Sequence, residues 1–200
     1  TPAPASTIKP TRGLVSLAGV VPLSWTLDHA GPMARTLVDC ALLLAGMAGP
    51  DRRRPVSVLQ RGVPGELPAR STRLDGVRIA LSPRIPGAEL DGDVAGGLDA
   101  ALQACRALGA TVVEPDPPAA GWDVGEDFLD VLTAEMLAYH RRFDAGRELY
   151  RPALREWVEE GERRAVTGEA YAAAPGRRRE TTGGWAAWLE EHRVTAVLLE

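Results

Sequence analysis

Lysine is almost missing from this 200-residue sequence: of 23 Lys and Arg, only Lys9 is a lysine and the other 22 are arginines. Arginine keeps its proton near neutral pH, so a single side chain could serve as an amine base. The bias accompanies abundant Ala, Gly, Pro and Val and reads mainly as the codon usage of a GC-rich genome. Cysteine is scarce too. Cys40 and Cys105 stand in apolar, helix-like stretches with no Cys-x-x-Cys spacing, which excludes a disulfide framework and reads as two small buried hydrophobes. No run approaches the roughly 18 to 20 apolar residues of a membrane span, so no membrane partner is expected. There is no basic start followed by an apolar core, and a cytoplasmic location is expected. The three histidines lack His-Glu-x-x-His and i, i+4 spacing, so neither a metal nor a cofactor is expected. His29 stands beside Asp28, with Ser16 and Ser24 nearby, but adjacency is not triad geometry and no Gly-x-Ser-x-Gly elbow is present. The net charge of −4 argues against a nucleic-acid partner.

What remains is the composition of a folded α/β chain, 45% apolar and 25% charged. The first segment, 1–49, is rich in Pro, Gly and Thr. Leu14–Ser16 and Gly19–Val21 are candidate short strands. A helix is expected from Thr36, a good N-cap, to Met47, with Leu37, Cys40, Ala41 and Leu44 as its apolar stripe and Gly49-Pro50 as its stop. Residues 50–73 read as a loop whose Arg52-Arg53-Arg54 run is a solvated surface, with an anion site as the alternative.

The stretch 74–116 has the plainest local logic. Val77–Leu81 reads as a strand. Asp93 is a candidate N-cap for a helix with Val94, Leu98, Ala101, Leu102, Cys105 and Leu108 on one face and Gly109 just past its end. Thr111–Val113 follows as a second strand, and a parallel pairing is the natural expectation. From 123 to 192 the pattern is helical, with Phe128, Val131, Leu132, Glu135 and Tyr139 at helical spacing. Gly161, Gly168 and Pro175-Gly176 are expected to separate helices, the last running from about Thr182 to His192 with Trp185 and Trp188 in the core. Residues 194–199 read as a buried, parallel-type strand. A sequence opening on Thr1 and closing on such a strand is expected to be one portion of a larger sheet. Exposed edges and apolar faces would then leave the isolated chain prone to aggregation.

The run Lys9-Pro10-Thr11-Arg12-Gly13 through Leu27-Asp28-His29-Ala30-Gly31-Pro32-Met33-Ala34-Arg35-Thr36 resembles the amidase signature family, just downstream of its active-site serine loop. Ala134-Glu135 with Tyr139-His140 resembles a later helix of that family, and 194–199 is similar to one of its strands. The resemblance implies a mixed, largely parallel sheet flanked by helices, of which this chain would supply a part. It also implies hydrolysis of an amide carbon–nitrogen bond by a serine nucleophile, a second serine and a lysine base. A serine hydroxyl is a weak nucleophile until a base takes its proton, and an amine can be that base when burial lowers its pKa. None of the three parts can be placed here. Only eight residues precede Lys9, they hold no glycine, and Ser6 does not match the nucleophile's position. Lys9 belongs to the Lys-Pro-Thr motif. No catalytic residue is therefore assigned, and the chain alone is expected to be inactive. Its expected partners are a small-molecule amide and the N-terminal part of the enzyme. The rival expectation is an inactive amidase-like module working in binding or assembly.

Three polar residues are candidate substrate contacts. Asp28 and Arg35 flank the matched Gly-Pro turn and could face the substrate cleft, pair to brace the nucleophile loop, or form a salt bridge or cap that orders the turn. Glu135 lies on an apolar helix face one turn before Tyr139, where it could contact substrate or a backbone amide, or hydrogen-bond Tyr139 or an arginine.

Overall fold

A computed structural model describes residues 5–58, 72–81, 91–118 and 125–199. These divide into two units. The first holds the described residues up to 58 together with 128–171; the second holds those of 72–127 and 172–199.

In the first unit, two very short strands, β1 (Ser6–Thr7) and β2 (Met33–Ala34), pair antiparallel with Thr7 opposite Met33. At two residues each they leave no periodic trace in the sequence, which gives no expectation of either. They lie against α1 (Leu37–Met47). Thr36 caps α1 as expected: its hydroxyl accepts from the Asp39 amide at 3.1 Å and donates to the Asp39 carboxylate at 2.8 Å. Of the expected stripe, Cys40 and Leu44 are buried, whereas Leu37 is exposed. The expected strands at 14–16 and 19–21 do not form. Val15 makes one bridge to Ala48, and Gly19, at φ +90°, turns the chain where a second strand would have to continue. The expected loop 50–73 contains a short helix, α2 (Pro55–Val58), and residues 59–71 lie outside the described ones.

The second unit carries the parallel sheet. Its strands are β3 (Arg78–Leu81), β4 (Thr111–Val113) and β5 (Ala196–Leu198), in the order β4-β3-β5. Both pairings are parallel, with Ile79 opposite Val112 and Ala196. The strand–helix–strand expectation therefore holds, with α3 (Gly92–Ala107) between β3 and β4. The cap is Asp91 rather than Asp93: the Asp91 carboxylate accepts from the Asp93 amide at 2.9 Å, and Asp93 sits in the first turn, where a negative charge suits the helix dipole. Gly109, at φ +99°, ends α3 as expected, and a Cβ there would stand 2.4 Å from the Asp75 carboxylate. Only Leu102 of the expected apolar face is fully buried; Val94 and Leu108 are exposed.

The helical region matches in kind but not in its breaks. It comprises α4 (Gly125–His140), a 3-10 stretch over Arg141–Leu149, α5 (Pro152–Arg164) and α6 (Gly168–Glu191). Gly168 does open a helix, after Ala165 at φ +50° ends the previous one. Gly161 does not separate helices. It is buried inside α5, where a Cβ would come within 2.9 Å of the Met136 methyl and 3.1 Å of Thr133 on α4, so it permits close helix approach. Pro175 and Gly176 lie inside α6, which absorbs the loss of one backbone donor without breaking. The first unit's core gathers Met136 and Leu137 of α4 with Val158 of α5, against Leu23, Tyr150 and Leu154. Phe128, expected on the buried face of α4, is half exposed. In the second unit Trp188 is buried, and its indole donates to the Asp116 carbonyl at 2.6 Å. Trp185 and His192 meet it edge to face.

Candidate functional site

The site is built on the Leu23–His29 turn of the first unit. Its backbone closes on itself: the Leu27 and Asp28 amides both donate to the Ser24 carbonyl, at 3.0 and 2.8 Å. Asp28 reinforces the turn through its side chain. Its carboxylate accepts from the Leu23 amide at 2.9 Å and from the Ser24 amide at 3.1 Å. A short acidic side chain reaching back to amides four and five residues earlier is what this position needs, and it commits both Asp28 oxygens to the turn.

A second carboxylate holds the same turn from α4. Glu135 is 1% exposed and accepts four hydrogen bonds. Its Oε2 receives the Ser24 hydroxyl at 2.5 Å and the Thr26 amide at 3.0 Å; its Oε1 receives the Thr26 hydroxyl at 2.7 Å and the Tyr171 hydroxyl at 2.9 Å. All four donors are neutral. A buried carboxylate without a cation is tolerable only when its lone pairs are filled in this way. Ser24 is itself fully buried. Tyr139, one turn along α4, is not a partner. Its ring lies 5.4 Å from that of His140, with the Arg142 guanidinium 5.6 Å from its centre.

Beyond the turn, the His29 ring nitrogen Nδ1 and the Leu27 carbonyl are 2.6 Å apart. Gly31 then passes so close to β1 that a Cβ would lie 2.1 Å from the Ile8 carbonyl oxygen, and the Ile8 amide donates to the Pro32 carbonyl at 3.2 Å. This contact brings Lys9-Pro10 beside the turn. Lys9, Pro10, Leu27, Asp28 and His29 line one cleft of about 400 Å³, with Phe128 and Leu132 of α4. A smaller cleft of about 260 Å³ lies where Trp25, Glu135 and Tyr171 meet Val166.

The three sequence candidates are thus placed differently. Asp28 and Glu135 converge on one turn, Asp28 on the Ser24 amide and Glu135 on the Ser24 hydroxyl. Arg35 is exposed next to β2 and makes no ion pair or side-chain hydrogen bond among the described residues, so it does not join Asp28. Sequence reasoning misses Ser24, Thr26 and Tyr171 as partners of Glu135. Separations of 111, 109 and 36 residues leave no local signal for them.

Other titratable groups sit away from the turn. The Arg53 side chain, with its amide and the Ser16 hydroxyl, holds the Asp51 carboxyl well below the ordinary range. Burial pushes the His140 imidazole down, and its Nδ1 lies 2.7 Å from the Tyr150 hydroxyl. Among the described residues no group of three or more His, Cys, Asp or Glu could hold a metal. No helix among them is long and apolar enough to cross a membrane.

The comparisons with known proteins converge. The chain is 38% identical over 156 residues to a glutamyl-tRNA(Gln) amidotransferase subunit from Paraburkholderia phymatum, covering 73% of this chain and 31% of that protein. It is 41% identical over 140 residues to the corresponding protein of Methylococcus capsulatus, covering 70% and 28%. The chain therefore spans about a third of the length of these curated relatives. The crystal structure of native peptide amidase from Stenotrophomonas maltophilia superposes with a TM-score of 0.70 at 27% identity, over 98% of this chain and 44% of that one. Residues 7–180 match the amidase family, and the chain belongs to that family.

Proposed function

We propose that this chain takes part in hydrolysing the carbon–nitrogen bond of a small, non-peptide carboxamide by serine–serine–lysine chemistry. The observation that carries the reading is the match to the amidase family across residues 7–180. In that chemistry a serine oxygen attacks the carbonyl carbon while its proton passes through a second serine to a lysine amine. The C–N bond breaks, the leaving nitrogen takes the proton, and water cleaves the acyl–serine ester to a carboxylate. Lys9 belongs to the Lys-Pro-Thr motif and these 200 residues hold no other lysine. The base, and the nucleophile loop with it, would be supplied by residues upstream of these 200.

The part played by this chain is to shape the cleft. Glu135 and Asp28 commit their oxygens to the Leu23–His29 turn, so they position that wall rather than meet the amide. Arg35, whose guanidinium is uncommitted among the described residues, is the candidate left to contact substrate. The relatives that carry the name of an amidotransferase subunit extend the proposal to an assembly with further subunits, in the cytoplasm.

A fluorophosphonate that labels activated serines tests this. We expect no labelling of the 200-residue chain and stoichiometric labelling of a polypeptide extended upstream. Saturable release of ammonia from a carboxamide by the 200-residue chain, abolished by changing one of its own side chains, would overturn the proposal. A second reading, an inactive amidase-like module for binding or assembly, is favoured by the lone lysine. The coding sequence before Thr1 separates the two: a Gly-Ser-rich loop with an earlier lysine supports the enzyme, a stop codon the module.

A further inference from the structure

On the Trp25 side of the turn, the first unit has a crevice of about 230 Å³, roughly the liquid volume of eight waters. Its walls are apolar, from Val15, Leu17, Val56 and the half-exposed ring of Trp25, and two arginines, Arg12 and Arg54, enter it. Neither guanidinium meets a carboxylate among the described residues. Arg12 has one long hydrogen bond, to the Trp25 carbonyl at 3.4 Å, and the Arg54 side chain has none.

Other arginines, Arg35 among them, also lack a carboxylate partner among the described residues; what sets these two apart is that they line one apolar crevice together. Asp51, the nearest acid in sequence, is taken by Arg53, whose guanidinium lies 2.9 Å from the carboxylate, and by the Ser16 hydroxyl at 2.8 Å. Both arginines are also fixed at their backbones. The Leu14 amide donates to the Thr11 carbonyl at 3.0 Å, closing the turn that carries Arg12 and Gly13, where Gly13 has φ +83°. The Arg54 amide donates to the Asp51 carbonyl at 2.9 Å. The Arg54 carbonyl in turn accepts from the Ser57 amide at 2.9 Å and from the buried Ser57 hydroxyl at 2.8 Å. A chain of net charge −4 with 27 acidic residues could have paired these arginines internally. Leaving two half-buried guanidiniums on fixed backbone over an apolar floor is the arrangement that recognises a planar anion with a hydrophobic body.

We propose that this crevice binds a monocarboxylate on a compact apolar or aromatic body, with Arg12 and Arg54 on the carboxylate and Trp25 against the apolar part. The crevice shares Trp25 with the Leu23–His29 turn, but its arginines lie outside that turn and the proposal does not depend on the hydrolytic reading.

Phenylacetate is a suitable probe, titrated against the 200-residue chain by calorimetry, with phenylacetamide and inorganic phosphate in parallel. Saturable one-site binding of phenylacetate is expected, weaker by about tenfold or more in Arg12→Gln and in Arg54→Gln. Arg52→Gln, which alters an exposed arginine outside the crevice, should leave the affinity unchanged. Trp25→Ala should weaken phenylacetate more than acetate, since only the former has a ring to lose. Equal binding of phenylacetamide would remove the anion from the proposal, and equal binding of phosphate would remove the apolar body. No saturable binding of phenylacetate, or an equal loss in Arg52→Gln, would overturn it.

Discussion

In the first unit the decisive contacts join residues far apart in sequence and depend on which residue is present: the Glu135 carboxylate reaches Ser24, Thr26 and Tyr171, and Gly31, lacking a Cβ, lies against the Ile8 backbone. In the second unit they are made by backbone, as β3 pairs in parallel with β4 and β5, and the Leu74 amide donates to the Leu108 carbonyl at 2.7 Å beside the end of α3. A backbone ladder tolerates most side-chain replacements, because the chain itself carries the donors and acceptors. A buried carboxylate does not. Removing one donor leaves a buried carboxylate lone pair unfilled, and removing the carboxylate leaves the Thr26 amide and the hydroxyls short of an acceptor. The first unit should therefore be brittle and the second forgiving.

The sharpest way to break the contrast is Gly31→Ala. The new methyl would stand 2.1 Å from a backbone oxygen that cannot move independently, and a loss above about 4 kcal/mol is expected in urea denaturation. Glu135→Gln comes next. With its oxygen kept on the Thr26 amide and the Ser24 hydroxyl, the Gln NH₂ cannot accept from the Thr26 and Tyr171 hydroxyls, so about 2 to 3 kcal/mol should be lost, with faster amide exchange at Thr26 and in the turn. A smaller loss than in Thr111→Val, on the ladder of the second unit, would sink the comparison. Gly161→Ala meets the end of the flexible Met136 side chain, which can yield, so only about 1 to 2 kcal/mol is expected.

The smallest effect concerns pH. Burial lowers the folded-state pKa of His140 below its ordinary 6.5, so the unfolded chain binds the proton more readily. Its contribution is complete above about pH 6.5 and is lost as pH falls through that value toward the folded pKa. Denaturation midpoints should drop more between pH 7.5 and 5.5 in the native sequence than in His140→Gln. Identical slopes would show that burial of this imidazole does not matter.

The same contrast decides what can be read from residues alone. The strand–helix–strand of 74–116 is legible because each of its signals is local: a β-branched run, an apolar repeat, a glycine at φ +99°. Its misreadings are local too: Asp91 caps α3 in place of Asp93, a choice only the backbone makes, and Val94 and Leu108 at the ends of the apolar repeat stay exposed. In α6 the run of alanines before Pro175 carries the helix through a residue that reads as a break. Around the candidate site, Asp28 and Glu135 stand out as acids in matched or apolar surroundings, but their partners do not. A hydroxyl such as Ser24 has no sequence signature for being the ligand of a carboxylate 111 residues away. The two-residue strands β1 and β2 are invisible for a related reason: what makes them strands is each other.

Lys9 is exposed and stands at the mouth of the cleft formed with Asp28 and His29. Within these 200 residues it is the only side-chain amine, so an amine-selective fluorophore would attach to the side chains here at one address. Its emission would report directly on whatever enters that cleft, without any engineered label.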